Sequence, residues 1–266
     1  MSKWFMPREP LPAAAGVRLF CFPYAGGGAG VFAPLRQFMD GVAAVQYPGR
    51  ESRIGEPPLA DMDSLANAVV REIAPFTAQP YALLGHSLGA RVAYEAACRL
   101  RDAGLPSPRH LFVAGSRTPR MPELHPIHHL DDKAFLEGMF RFAGTPDELR
   151  GHEEVLRFFL PMLRADFTIS ETWIAPKRPP LDVPITAFCG DADDDAPARD
   201  MQGWSAFTSR RFGFRLLEGA HFALFSHMEE AASTIRECLG GDVLARPFHA
   251  PLAGCAAEAG TARSAG

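Results

Sequence analysis

Short apolar runs alternate with amphipathic stretches along most of the chain. Residues 17–22, 42–47, 81–84, 110–114, 185–189 and 214–217 are runs of the length and composition of buried strands. Apolar residues at helical spacing mark residues 62–77, 90–102, 198–207 and 227–239 as helices. Short buried strands alternating with helices predict an α/β fold. Its central sheet should be mostly parallel, with helices on both faces.

One connection exceeds what this pattern needs. A parallel crossover takes about a dozen residues or more, yet the stretch from Gly115 to Pro184 is several times longer. Its surplus reads as helical. Residues 130–142 carry Phe135, Leu136, Met139 and Phe140 on one face, and residues 153–166 carry Val155, Leu156, Phe159, Met162 and Leu163, with a kink expected at Pro161. Between them, Thr145-Pro146-Asp147-Glu148 has the form of a capping box with proline at the first helical position. An insertion at residues 118–178 would lie over the carboxyl ends of the strands as a lid.

Composition narrows the picture modestly. With 266 residues, 47% of them hydrophobic, the chain can bury one sizeable core. A formal net charge of −4 is too mild to suggest nucleic acid as a partner. The five cysteines (Cys21, Cys98, Cys189, Cys238 and Cys255) form no C-x-x-C pair and read as reduced thiols of a cytoplasmic protein. No run has the length of a signal peptide or a membrane span. Residues 250–266 turn Ala/Gly-rich and are expected to be a disordered tail behind a domain covering residues 1–249.

The candidate chemistry centres on Gly85-His86-Ser87-Leu88-Gly89, between the apolar run 81–84 and the helical stretch that follows. Strand, sharp turn, then helix is the setting of a nucleophile elbow, which strains the serine backbone and exposes its hydroxyl. The competing reading is a turn capped by a serine. An elbow serine needs an acid and a histidine later in the chain, and both occur after predicted strands, where ligands bind open α/β sheets. Of nine histidines, only His221 follows both a strand and an acidic loop; His86 lies inside the elbow and should point away from the nucleophile. The acid is one of Asp191, Asp193, Asp194 and Asp195. A calcium loop starting at Asp191 is disfavoured by Ala196 and Gln202 at its sixth and twelfth positions, so neither metal nor cofactor is expected. One oxyanion donor is the backbone N–H of Leu88, next to the nucleophile. The other should come from the turn holding Gly26-Gly27-Gly28.

The chain resembles the type II thioesterases, the editing hydrolases of polyketide and nonribosomal peptide pathways, of the α/β-hydrolase fold. The resemblance runs from about Trp4 to Leu239. It is carried by residues 19–28, by Tyr47-Pro48-Gly49-Arg50-Glu51-Ser52-Arg53, by the elbow, by Arg141-Phe142-Ala143-Gly144-Thr145-Pro146, by residues 160–166, by Trp204 and by Gly219-Ala220-His221-Phe222. Leu88, Asp194 and Ala223 depart from the usual residues of that pattern without removing a catalytic group. The resemblance implies a triad of Ser87, His221 and Asp193, and places the second oxyanion donor at Ala25. It further implies a monomer that removes stalled acyl groups from the phosphopantetheine arm of an acyl or peptidyl carrier protein. On this reading Arg50, Arg53, Arg117 and Arg120 would meet an acidic carrier helix. The triad chemistry equally fits a carboxylester hydrolase or an acyltransferase. A non-catalytic carrier-binding scaffold would have no need of the Ser-Asp-His order.

Overall fold

The computed structural model describes residues 2–7, 16–140 and 153–240. Seven strands, β1 (Phe5–Met6), β2 (Arg18–Phe22), β3 (Val42–Val45), β4 (Tyr81–His86), β5 (Leu111–Ala114), β6 (Ile185–Gly190) and β7 (Phe212–Leu217), form one sheet in the order β1-β3-β2-β4-β5-β6-β7. All neighbours are parallel except β1, which pairs antiparallel with β3, Phe5 opposite Val45. The expected parallel α/β architecture is therefore present. The order reverses at β2, which lies between β3 and β4 although β3 follows it in the chain. A crevice at the carboxyl ends of β2 and β4 is the ligand site such a reversal creates.

Both faces of the sheet are covered, which explains why its strands read as continuous apolar runs. In β2, Phe20 and Phe22 pack into one core layer with helices α1 (Met62–Ile73) and α2 (Leu88–Asp102). Leu19 and Cys21 pack into the other with the 3₁₀ segment Ala29–Gln37 and helix α7 (Met228–Leu239), which Gly240 closes in the left-handed region at φ 98°. Asp61 caps α1 by accepting a hydrogen bond from the Ser64 N–H.

Three elements differ from the expectation. β1 is two residues long and carries no readable period. The helix expected over 62–77 ends at Ile73 and tightens into a 3₁₀ turn at Ala74–Phe76, where Pro75 lacks the N–H that would continue it. The helix expected over 198–207 is a short α5 (Ala198–Met201) followed by a 3₁₀ segment at Gln202–Phe207. There the fully buried Trp204 donates its indole N–H to the Ser116 carbonyl at 2.7 Å, a tertiary anchor that outweighs helical propensity. The four-residue α6 (Ala223–Ser226) precedes α7.

The long connection between β5 and β6 carries α3 (Asp132–Met139), capped by Asp131, and α4 (Glu153–Thr172), which runs through Pro161 as one element. Phe135 and Met139 of α3 meet Leu156, Leu160 and Phe167 of α4, with Ile127, in a small core separate from the two that flank the sheet. The expected capping box at 145–148 and the tail at 250–266 lie outside the described residues. Among the described residues no helix is long and apolar enough to cross a membrane.

Candidate active site

Ser87 is the single residue between β4 and α2, with φ 54° and ψ −118°. A non-glycine residue in that region is strained and persists only where its surroundings enforce it. The enforcement is visible. The Ser87 N–H donates to the Ala114 carbonyl of β5 at 2.8 Å. A Cβ on Gly89 would collide with the carbonyls of Phe22 and Pro23, and one on Gly85 with the backbone of Gly89. Strand and helix can approach this closely only with glycine at both positions. The Ser87 side chain makes no capping bond to the helix, which removes the bland reading of this residue. It instead lines a cavity of about 690 Å³.

The loops after β6 and β7 are stapled together on the other side of this cavity. Asp191 accepts the Gly219 N–H at 2.8 Å, and the Ala192 N–H donates to the Gly219 carbonyl at 3.0 Å. The staple brings His221 Nδ1 to 3.1 Å and 3.3 Å from the two oxygens of Asp193. Asp193 Oδ1 also accepts the N–H groups of Asp195 and Ala196, each at 3.0 Å. Burial alone would raise the Asp193 pKa. The hydrogen bond and charge of His221, with the two backbone donors, outweigh it and hold the carboxyl below its ordinary value. Asp193 is therefore an ionised acceptor that fixes the His221 tautomer with its proton on Nδ1. Of the four aspartates, Asp193 faces His221 and Asp191 holds the loop.

Asp193, Asp195 and His221 also have donor atoms close enough together to suggest a metal site. The hydrogen bonds argue otherwise: Nδ1 cannot both donate to Asp193 and ligate an ion, and both Asp193 oxygens are already engaged.

His86 does not line the cavity, as expected of its place in the strand. Its contribution, which sequence reasoning does not reveal, lies behind His221. The rings meet edge to face at 5.0 Å, and His86 Nε2 donates to the His221 carbonyl at 2.8 Å. Burial, with the nearby His221, pushes the His86 pKa down to about 3, so the ring is a neutral brace for the base loop. The only signal in the sequence is position: the residue before the nucleophile ends the central strand β4.

Of the two expected oxyanion donors, Leu88 follows Ser87 in the chain and Ala25 lines the same cavity as Ser87. Leu88 opens α2, so its N–H has no acceptor within the helix and sits at the positive end of the helix dipole. Ala25 follows β2 in a turn closed by the Gly27 N–H donating to the Tyr24 carbonyl at 2.9 Å, and lines the cavity. The apolar part of the wall belongs largely to the insertion, including Met139, Val155, Leu156, Phe159, Met162 and Leu163, while Arg91, Glu123 and Glu171 are among the charged residues that share it. Ile54 and Phe158, at 43% and 65% exposure, lie at its rim.

Of the arginines expected at a basic mouth, Arg50 and Arg117 line the cavity, and Arg120 is exposed. Arg50 and Arg53 are buried, paired with Asp166 and Glu56. Arg117 pairs with Asp200, and Arg120 lies against the Phe207 ring. Arg50, Arg53 and Arg117 are each engaged in an ion pair, and strand-end position alone could not reveal these partners.

Comparison with known proteins gives concordant matches. A family model described as a thioesterase domain matches residues 17–239. Thioesterase PikA5 of Streptomyces venezuelae is 36% identical over 89% of this chain and 85% of its own length. The solved structure of RedJ, a thioesterase of the prodiginine biosynthetic pathway in Streptomyces coelicolor, is 39% identical, covers 84% of this chain and 91% of its own, and superposes with a TM-score of 0.77. YbtT, a type II thioesterase from the yersiniabactin NRPS/PKS pathway, is 28% identical with a TM-score of 0.81, covering 89% and 98%.

Proposed function

The chain belongs to the thioesterase family and is a thioester hydrolase; on that basis we propose that Ser87, His221 and Asp193 are its catalytic triad, with the N–H groups of Ala25 and Leu88 as the oxyanion hole. The observation that carries the assignment is the strained, uncapped Ser87 sharing one cavity with a histidine whose Nδ1 is committed to a buried carboxylate.

A serine hydroxyl is a weak nucleophile at its own pKa. With Nδ1–H donated to Asp193, Nε2 of His221 carries the basic lone pair and takes the Ser87 proton as Oγ attacks the thioester carbonyl. The oxyanion forms between the two N–H donors. Collapse breaks the C–S bond, and His221 returns the proton to the leaving thiolate. Water, deprotonated by His221, then attacks the acyl-enzyme; collapse breaks the Oγ–acyl bond, His221 returns the proton to Ser87 Oγ, and the carboxylic acid leaves. Asp193 stabilises the imidazolium at each stage without taking the proton.

The substrates fitting this cavity and family are acyl groups stalled on the phosphopantetheine arm of an acyl or peptidyl carrier protein. The insertion at 118–178 serves as the lid, whose apolar wall receives the acyl chain. The hydrolase domain comprises residues 1–249, and residues 250–266 are a dispensable tail; a chain cut after His249 that loses thiol release would disprove this division. The enzyme works as a cytoplasmic monomer, an assignment that light scattering of the purified protein would overturn by returning twice the chain mass.

The test is intact-protein mass after mixing with a short acyl thioester, with free thiol followed in parallel. The native enzyme should show thiol release and a transient acyl adduct, and Ser87→Ala neither. Native-rate release by Ser87→Ala would refute the triad. An ester panel run beside the thioesters separates this activity from carboxylester hydrolysis.

A further inference from the structure

The turn that presents Ala25 is gripped by a buried ion pair reaching in from the insertion. Asp166, on α4, accepts the Gly26 N–H at 2.8 Å. Arg50 donates to both oxygens of Asp166, at 2.6 Å and 2.8 Å, and also to the Gly27 carbonyl at 3.1 Å. The two side chains are 4% and 2% exposed. The pair thus holds the turn at one N–H and one carbonyl, while Gly27 in turn donates to the Tyr24 carbonyl. In a planar trans peptide that carbonyl is antiparallel to the N–H of Ala25, so fixing residues 26 and 27 fixes the direction in which the Ala25 N–H points.

We propose that Asp166 and Arg50 are positioning residues for the oxyanion hole, through which α4 holds the Ala25 N–H in register with Ser87. The proposal rests on the assignment of Ser87 and Ala25 made above. Stability alone explains the pair poorly. Desolvating two charges offsets most of their attraction, and apolar residues of similar volume commonly replace such pairs at little cost. Fixing a donor before charge develops on the substrate oxygen is what an ion pair on this turn can supply and an apolar contact cannot. Because α4 also walls the cavity, displacing it would withdraw the Asp166 acceptor and loosen the oxyanion turn.

Two paired replacements separate positioning from packing, measured on the full chain with a short acyl thioester. Arg50→Gln/Asp166→Asn leaves a neutral acceptor for the Gly26 N–H and should keep kcat within about threefold of the native enzyme. Arg50→Met/Asp166→Leu removes the acceptor without orphaning a charge. Its kcat should fall about 30- to 100-fold at unchanged KM, since the lost interaction belongs to the transition state alone. The affinity for an alkyl boronic acid, which the serine converts to a tetrahedral anion, should fall by the same factor. Where the apolar pair does not fold, Arg50→Gln/Asp166→Ala makes the same comparison. An acceptor-free variant matching the neutral pair in kcat and boronate affinity refutes this inference alone, provided Ser87→Ala is inactive. Native-rate release by Ser87→Ala refutes the site assignment and this inference with it.

Discussion

Asp193 and its neighbours show how little separates a buried, histidine-bound carboxylate from a solvated one. Four aspartates lie between positions 191 and 195, and Asp193 is the one that is both buried and hydrogen-bonded to His221. Asp193→Asn should retain the geometry but favour the wrong imidazole tautomer, lowering kcat by about 10³- to 10⁴-fold. Asp195→Asn should stay within about threefold, and equal losses in the two would undo the assignment. His86 makes a second prediction, about stability. Its folded pKa of about 3 lies below the ordinary 6.5, so the unfolded chain binds the extra proton between those values and stability falls as pH drops through that window. His110, stacked on Phe112 and pushed down to about 4 by burial, has the same sign. His86→Gln retains a donor for the His221 carbonyl but cannot titrate. The acid-side slope of its unfolding free energy should be shallower by up to about 1.4 kcal/mol per pH unit. Denaturant titrations from pH 7 to pH 4 measure it, and an unchanged slope would mean that His86 is not a buried neutral ring.

At the scale of elements, the β4–α2 junction is the most constrained feature. Gly89 lets α2 pass directly over the carbonyls of Phe22 and Pro23 at the end of β2. Gly89→Ala must push that strand or the helix aside, at about 3 kcal/mol, which for a chain of this size lowers the melting temperature by about 6 °C or more and misplaces Ser87. Gly55, with open space around its missing Cβ, is the control, and Gly55→Ala should change stability by less than about 0.5 kcal/mol. Calorimetry decides, and a Gly89→Ala protein melting with the Gly55→Ala control would contradict the close approach. The segment at 198–207 carries the opposite lesson: its helical period is real, but the Trp204 indole bond to Ser116 takes over half the segment.

For the molecule as a whole, the loops after the sheet strands carry Ser87, Asp193 and His221, and the insertion supplies most of the apolar wall. The cavity between them exposes Phe158 and Ile54 at its rim. If an acyl chain crosses that rim, Phe158→Ser should raise KM for long-chain thioesters about fivefold, equivalent to about 1 kcal/mol of lost apolar contact. It should leave short-chain KM and the melting temperature unchanged, because a side chain this exposed packs little. Matched changes for both chain lengths would place the acyl path elsewhere. The four arginines expected to greet a carrier protein belong to this scale too: Arg50 and Arg117 line the cavity while paired with Asp166 and Asp200, Arg53 pairs with Glu56, and exposed Arg120 lies over the Phe207 ring.

Legible in the chain alone are the alternation of strands and helices, the sharp strand-to-helix turn at Ser87, the order of the loops carrying Asp193 and His221, and the presence of an extra helical segment between β5 and β6. These follow from local rules: period, turn chemistry, and the need of an α/β sheet to bury both faces. Not legible there are the two-residue β1, the splitting of 198–207, the brace of His86 on the His221 carbonyl, and the link from Asp166 and Arg50 to the oxyanion turn. The last of these joins residues 140 and 116 positions apart. Such contacts are settled in the packed chain, because burial makes a hydrogen bond obligatory without prescribing its partner. Periodicity records which face of an element is buried, and the tertiary fold selects what lies against it.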